Sequence, residues 1–199
     1  MKITEMILAQ LTSDDTVTES LYQAMAYRDP NYAAERAAYC SGAQAWLEQV
    51  PGGQEYLTAM EQALASDLRC AYWAGFQWNL DCFRDPVNKL LLELDFEELC
   101  RERGMNLLPG AQAARGAMAA FVHSVQEAQR ELLDPVTDYF AYLRTWGYKL
   151  AFLEGFCLAD RLLPHLLPGY TPDGMLALRC EKKLQDFLGM QSLSRSGNT

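Results

Sequence analysis

A chain of 199 residues, half of them hydrophobic, has enough apolar material to bury a sizeable core in one domain or two small ones. Its formal net charge of −9 works against a phosphate-backbone partner, which is attracted by clustered Lys and Arg, so nucleic acid is not expected. No stretch approaches the roughly 20 uninterrupted apolar residues of a membrane span, and Met1 to Leu11 has too short an apolar run for a secretory signal, so the expectation is a cytoplasmic protein with no membrane partner.

Thr16-Val17-Thr18-Glu19 has the spacing of a capping box and predicts a helix to about Tyr27. Asp29-Pro30 comes next. Asp accepts from the free N–H groups of a helix start, and Pro fits the first helical position because it has no N–H to leave unpaired. Asp85-Pro86 and Asp134-Pro135 repeat the dipeptide, and Thr171-Pro172 is its equivalent. The first predicts a helix from Pro30 to about Val50 with a light apolar side of Ala33, Ala37, Ala38, Ala45 and Trp46, suited to close helix approach. Pro51-Gly52-Gly53 ends it, and so tight a connection predicts an antiparallel neighbour, a long helix from about Gln54 to Phe83.

Asp85-Pro86 then predicts a helix over Val87 to Arg103, apolar nearly all round at Leu90, Leu91, Leu92 and Leu94 and therefore buried. Gly104 to Gly110 marks the boundary between a first half, residues 1–104, and a second, residues 105–190. In the second half an Ala-rich helix over Ala111 to about Leu133 precedes a long helix that opens at Asp134-Pro135 and reaches Leu163. Thr171-Pro172 starts the last helix, Gly189 closes it, and residues 191–199 are expected to be a disordered tail. No run alternates as a strand does. The fold class is all-α: a helical bundle of two pseudo-repeated antiparallel hairpins with shorter flanking helices.

The repeat rests on the two long helices. In steps of four, Tyr56, Met60, Leu64, Leu68, Tyr72, Phe76 and Leu80 share one drifting face of the first. Adding 80 to each number gives Val136, Phe140, Arg144, Tyr148, Phe152, Phe156 and Asp160, apolar except at Arg144 and Asp160. Gly75 and Gly155 fall in the same register. A glycine inside a helix costs about 1 kcal/mol relative to alanine, so a matched pair points to close packing against another backbone. The Ala- or Leu-rich helix, short turn and second helix ending in aromatic-x-x-Gly-Phe, centred on Phe152-Leu153-Glu154-Gly155-Phe156, resembles small uncharacterised bacterial helical-hairpin proteins. Residues 113–163 carry that resemblance, with 33–83 as a divergent second copy. It implies a fold and supplies no catalytic residues.

Chemistry is sparse. The two histidines, His123 and His165, lack the Glu-x-x-His spacing of bundle metal sites, and no phosphate loop, dinucleotide fingerprint or HExxH is present. No catalytic residue, metal or cofactor is assigned. The cysteines, Cys40, Cys70, Cys82, Cys100, Cys157 and Cys180, contain no CxxC pair and are read as reduced thiols that pack. Tyr72, Trp73, Phe76, Trp78, Trp146, Phe152, Glu154 and Phe156 are the candidate pocket or interface, with Gly75 and Gly155 as close-packing positions. The charged residues of the long helices, Glu154 among them, are mostly expected on solvated faces. The leading expectation is a non-enzymatic interaction module with a protein partner, a homodimer included. The alternative is a small-molecule binder or enzyme with an apolar pocket between the long helices, and an acidic decoy of a nucleic-acid-binding protein ranks third.

Overall fold

The computed structural model describes residues 15–48, 50–93, 109–125 and 127–196, and every regular element among them is helical. The order is α1 (Asp15–Arg28), α2 (Pro30–Leu47), α3 (Gly53–Arg84), a 3-10 segment (Pro86–Glu93), α4 (Pro109–Ser124), α5 (Glu127–Leu166) and α6 (Gly174–Ser196). Local chemistry explains several boundaries. Asp29 Oδ1 accepts from the Asn31 N–H at 3.1 Å, so Asp29-Pro30 opens α2 as its sequence predicts. Gly52, at φ 79°, makes the left-handed turn into α3 that a side chain would resist.

The two long helices, α3 and α5, form the most extensive contact and run parallel. Partners rise together along both: Asp67 with Arg144, Gly75 with Phe152, Asn79 with Phe156 and then Asp160. The glycines mark the closest approach, and the contact is reciprocal. A Cβ on Gly75 would overlap the Phe152 carbonyl, and one on Gly155 would overlap the Tyr72 carbonyl. Each glycine thus meets the backbone three residues before the other. Around this crossing Trp78, Phe76, Phe152 and Phe156 are buried.

Several elements depart from the expected hairpins. Helix α5 begins at Glu127 and passes through Asp134-Pro135, so that dipeptide does not start a helix; the preceding helix ends earlier, at Ser124. Pro135 forfeits one backbone hydrogen bond, but Leu133 before it and Phe140 after it are both buried, and that packing keeps the turns in line. The preceding helix, α4, packs chiefly on α3 rather than on α5, with Phe121 stacked on Tyr56 at 4.5 Å. Helix α2 is divided between α3 and α5. Its aromatics lie on α5 in antiparallel order, Tyr32 against Trp146 and Tyr39 against Phe140, while Tyr39 donates to the Val136 carbonyl at 2.7 Å. Helices α1, α2 and α4 therefore each reach the long helix of the other half, while α6 packs on α5.

The predicted buried helix over Val87 to Arg103 begins instead as the 3-10 segment, with Val87 and Leu90 exposed; residues 94–108 lie outside the described residues. Helix α6 starts two residues beyond Pro172, because Asp173 and not Thr171 caps it: Asp173 Oδ1 accepts from the Leu176 N–H at 3.1 Å. It also continues past Gly189 to Ser196, so most of the expected disordered tail is helical.

Gly75→Ala and Gly155→Ala should each destabilise the fold by about 3 kcal/mol, because neither backbone can yield without disturbing the buried aromatics. Gly42→Ala, on an exposed turn of α2 with open space around it, should instead stabilise by about 1 kcal/mol. Urea midpoints of the three variants check both signs.

Candidate functional site

The predicted pocket residues divide among three places. Trp78, Phe152 and Phe156 meet at the α3–α5 seam, with the indole centroid 5.5 and 5.6 Å from the two phenyl rings. Trp78 Nε1 donates to the Asn88 carbonyl at 3.2 Å, so the 3-10 segment covers the face that lies off the main apolar stripe. Trp73 is half-buried and stacks on Phe76 at 5.6 Å. Trp146 lies further back along α5, against Tyr32, and donates to Asp29 Oδ2 at 3.1 Å. Tyr72 is half-buried on the side of the seam where Glu154 and Arg161 act on its hydroxyl; burial, ahead of those charges, raises its pKa.

Glu154 is not on a solvated face. It is buried and accepts from Arg28 Nε, while Arg28 Nη1 reaches Glu181 at 2.9 Å, so one guanidinium ties α1 to α5 and α6. Burial works to lower the Arg28 pKa, but the hydrogen bond and charge of Glu154 outweigh it and the net shift is upward. The two apolar positions of α3 that become charged in α5 are also explained. Arg144 Nε donates to the buried Asp67 carboxylate at 2.8 Å. Asp160 Oδ1 accepts from Asn79 Nδ2 at 3.0 Å and contacts the Tyr170 hydroxyl at 2.5 Å. Both exceptions to the register are ties between helices.

An open cleft lies at the end of α3. Asp85 breaks the helix in an extended conformation, and the Asn88 amide donates to the Asp81 carbonyl at 3.2 Å, which holds the 3-10 segment against the last turn. From the other side Gly169, at φ 82°, turns the chain after α5 so that Tyr170 packs on Phe83 at 5.0 Å. Lys89 Nζ and Asp173 Oδ2, 2.5 Å apart, bridge the 3-10 segment to the start of α6. These elements enclose a cleft of about 470 Å³ whose walls include Asn79, Phe83, Phe156, Tyr170 and Met175. Tyr170 places its hydroxyl 2.5 Å from both Asn79 Oδ1 and Asp160 Oδ1, and burial, reinforced by Asp160, holds its pKa above the ordinary phenol value. The phenol therefore stays protonated and acts as a fixed donor.

Of the predicted pocket residues, only Phe156 is on a wall of this cleft. Asn79, Lys89, Tyr170 and Asp173 were not singled out in the sequence. Asn79 did carry a signal as an amide inside an apolar helix, and Asp173, within Thr-Pro-Asp-Gly, has the residue type of an N-cap. His123 and His165 are both exposed, and among the described residues no three His, Cys, Asp or Glu side chains converge as a metal ion would require. Cys40, Cys70, Cys82, Cys157 and Cys180 are free thiols; burial pushes Cys180 up to about 12. Among the described residues no helix is long and apolar enough to cross a membrane. Compared with known proteins, the chain matches no family model, no curated protein and no solved structure.

The Lys89 hydrogen bond, ahead of a small opposing effect of burial, lowers the Asp173 pKa below its ordinary 3.8. A lowered carboxylate contributes stability that is complete above the unfolded value and disappears as pH falls through the folded one. Asp173→Asn keeps a cap acceptor and removes the charge, so its melting temperature should fall less than that of the wild type between pH 5 and pH 2. Both ion-pair partners are more than one-third exposed, so the difference should stay under about 1 kcal/mol.

Proposed function

We propose that the protein is a non-enzymatic helical interaction module that binds a protein partner, a second copy of the chain included, through the end where α3, the 3-10 segment and α6 meet. One observation carries this reading. Val87, Leu90 and Met175 are 66%, 69% and 70% exposed, and all three belong to the elements that wall the cleft, beside the partly exposed Phe83. Single exposed apolar residues are ordinary, whereas a group at one end, each forgoing about 1.5–3 kcal/mol of burial, marks a surface that something else covers. The cleft supplies a recess for a partner side chain, with Lys89 and Asp173 as a polar edge.

Further support comes from how the buried charges are employed. Arg28 with Glu154 and Arg144 with Asp67 fasten helices to one another, which is a structural use of groups that an active site would hold ready. The crossing at Gly75 and Gly155 lends nothing to a pocket between the long helices, because the backbones leave no room there for even a methyl group. The reciprocal contact favours the two-copy reading of the chain. A reducing, cytoplasmic setting suits the thiols of Cys70, Cys82 and Cys180, which are packed in the core.

A photoreactive residue placed at Val87 or Leu178 should yield discrete covalent adducts with a protein partner in cells, and one at the exposed Ser41 should not. Leu90→Lys in the same chain should weaken capture at least tenfold, about 1.4 kcal/mol. Equal labelling from all three positions, or an unlabelled chain that also sediments as a monomer at micromolar concentration, would overturn the proposal.

A further inference from the structure

We infer that a second cleft, between α1 and α2, binds a small organic anion: a planar apolar body carrying one carboxylate or phosphate. This site is remote in the fold from the docking end and does not depend on that reading. The cleft holds about 480 Å³, within the range of small-molecule sites. Helix α1 lines it with Thr18, Tyr22 and Ala26, four residues apart on one stripe, and α2 with Ala33, Arg36 and Ala37. Only Asp29 separates the two helices, so they diverge from a tight corner. The alanines, expected to let helices approach closely, instead leave the space open.

Arg36 gives the cleft its chemistry. Arg28 and Arg144 each hold a carboxylate, but among the described residues Arg36 holds none. Its guanidinium lies over the Tyr22 ring, 4.0 Å from the centroid, and its Nε is buried without an acceptor. Thr18 Oγ1 is buried without a partner too. Two of the unpartnered buried side-chain atoms among the described residues, Arg36 Nε and Thr18 Oγ1, thus belong to residues lining this one cleft, whereas the unpartnered Tyr32 hydroxyl lies in the core beside Gly147. Buried polar groups without partners are costly, so their concentration points to a missing component. Arg69, from α3, also acts on the Tyr22 hydroxyl and reaches Ser66 Oγ at 3.5 Å.

Among the described residues the Arg36 guanidinium, with no carboxylate of its own, is thus the group an anion entering the cleft would meet, in a molecule of net charge −9. Carboxylate and phosphate match the planar fork of arginine, and the Tyr22 ring with its alanine neighbours suits a flat apolar body. Glu19 on the wall and Glu61, which also acts on Tyr22, limit the tolerated charge to a single anionic group.

The probes are 2-naphthoate, the uncharged 2-naphthamide and inorganic phosphate, titrated into the full chain at low salt by calorimetry and amide NMR. Naphthoate should bind saturably and shift amides around Tyr22 and Ala33, while naphthamide and phosphate should each bind at least tenfold more weakly. Arg36→Gln should bring naphthoate down to the naphthamide level. Ala37→Leu, at an exposed position that tolerates the larger side chain, should fill the cleft and abolish binding with an unchanged thermal transition. No saturable naphthoate binding, naphthamide binding as tight as naphthoate, or full naphthoate affinity in Arg36→Gln would each overturn the inference.

Discussion

The structure depends on two backbones in contact. At Gly75 and Gly155 the parallel helices α3 and α5 approach until each glycine lies on the other helix's carbonyl. The arrangement has an electrostatic cost, since parallel helices set like ends of their macrodipoles side by side. Burial offsets it. Trp78, Phe76, Phe152 and Phe156 gather around the crossing, and each removes enough apolar surface from water to contribute several times the cost of a glycine in a helix. The same closeness lets the short Asn79 side chain donate to the Phe156 carbonyl at 3.0 Å.

Glycines allow an approach but do not by themselves fix which turn meets which. The polar ties perform that task. Arg144 on the buried Asp67, Asp160 on Asn79, and Arg28 on Glu154 each have geometry that a slide of one helical turn would break. Two of the three join α3 to α5 and so set the register of the long pair, and the third ties α1 to α5. The two open clefts lie outside this pinned centre, one where the long helices end and one where α1 and α2 diverge.

Legibility in the sequence followed the range of the interaction. The bounds of α3 could be read to within one residue, because Pro51-Gly52-Gly53 and Asp85-Pro86 act locally. The matched glycines and the register exceptions at Arg144 and Asp160 could be seen as well, although not what they would touch. The Asp134-Pro135 start was misread because burial of Leu133 and Phe140 overrode a local preference. The expected pairing of α4 with α5 gives way because Phe121 of α4 finds its aromatic partner, Tyr56, on α3. Tyr170 joins Asn79, 91 residues earlier, and Lys89 on the segment after it, and that long-range meeting is what makes the cleft. Nothing in the alanine-rich sequence around Arg36 distinguishes it from Arg28 or Arg144, each of which holds a carboxylate that Arg36 lacks among the described residues.

Because α3 and α5 point the same way, the chain must travel back along the whole of α3, roughly 48 Å at 1.5 Å per residue, before α5 can begin. During synthesis α3 leaves the ribosome with its notch unmatched, and the backbone that fills it follows some 80 residues later. Neither half can complete its core alone. Folding must close a long loop before its central contact gives any return, so the nascent chain carries a naked aromatic face for much of its emergence and is exposed to aggregation during that interval.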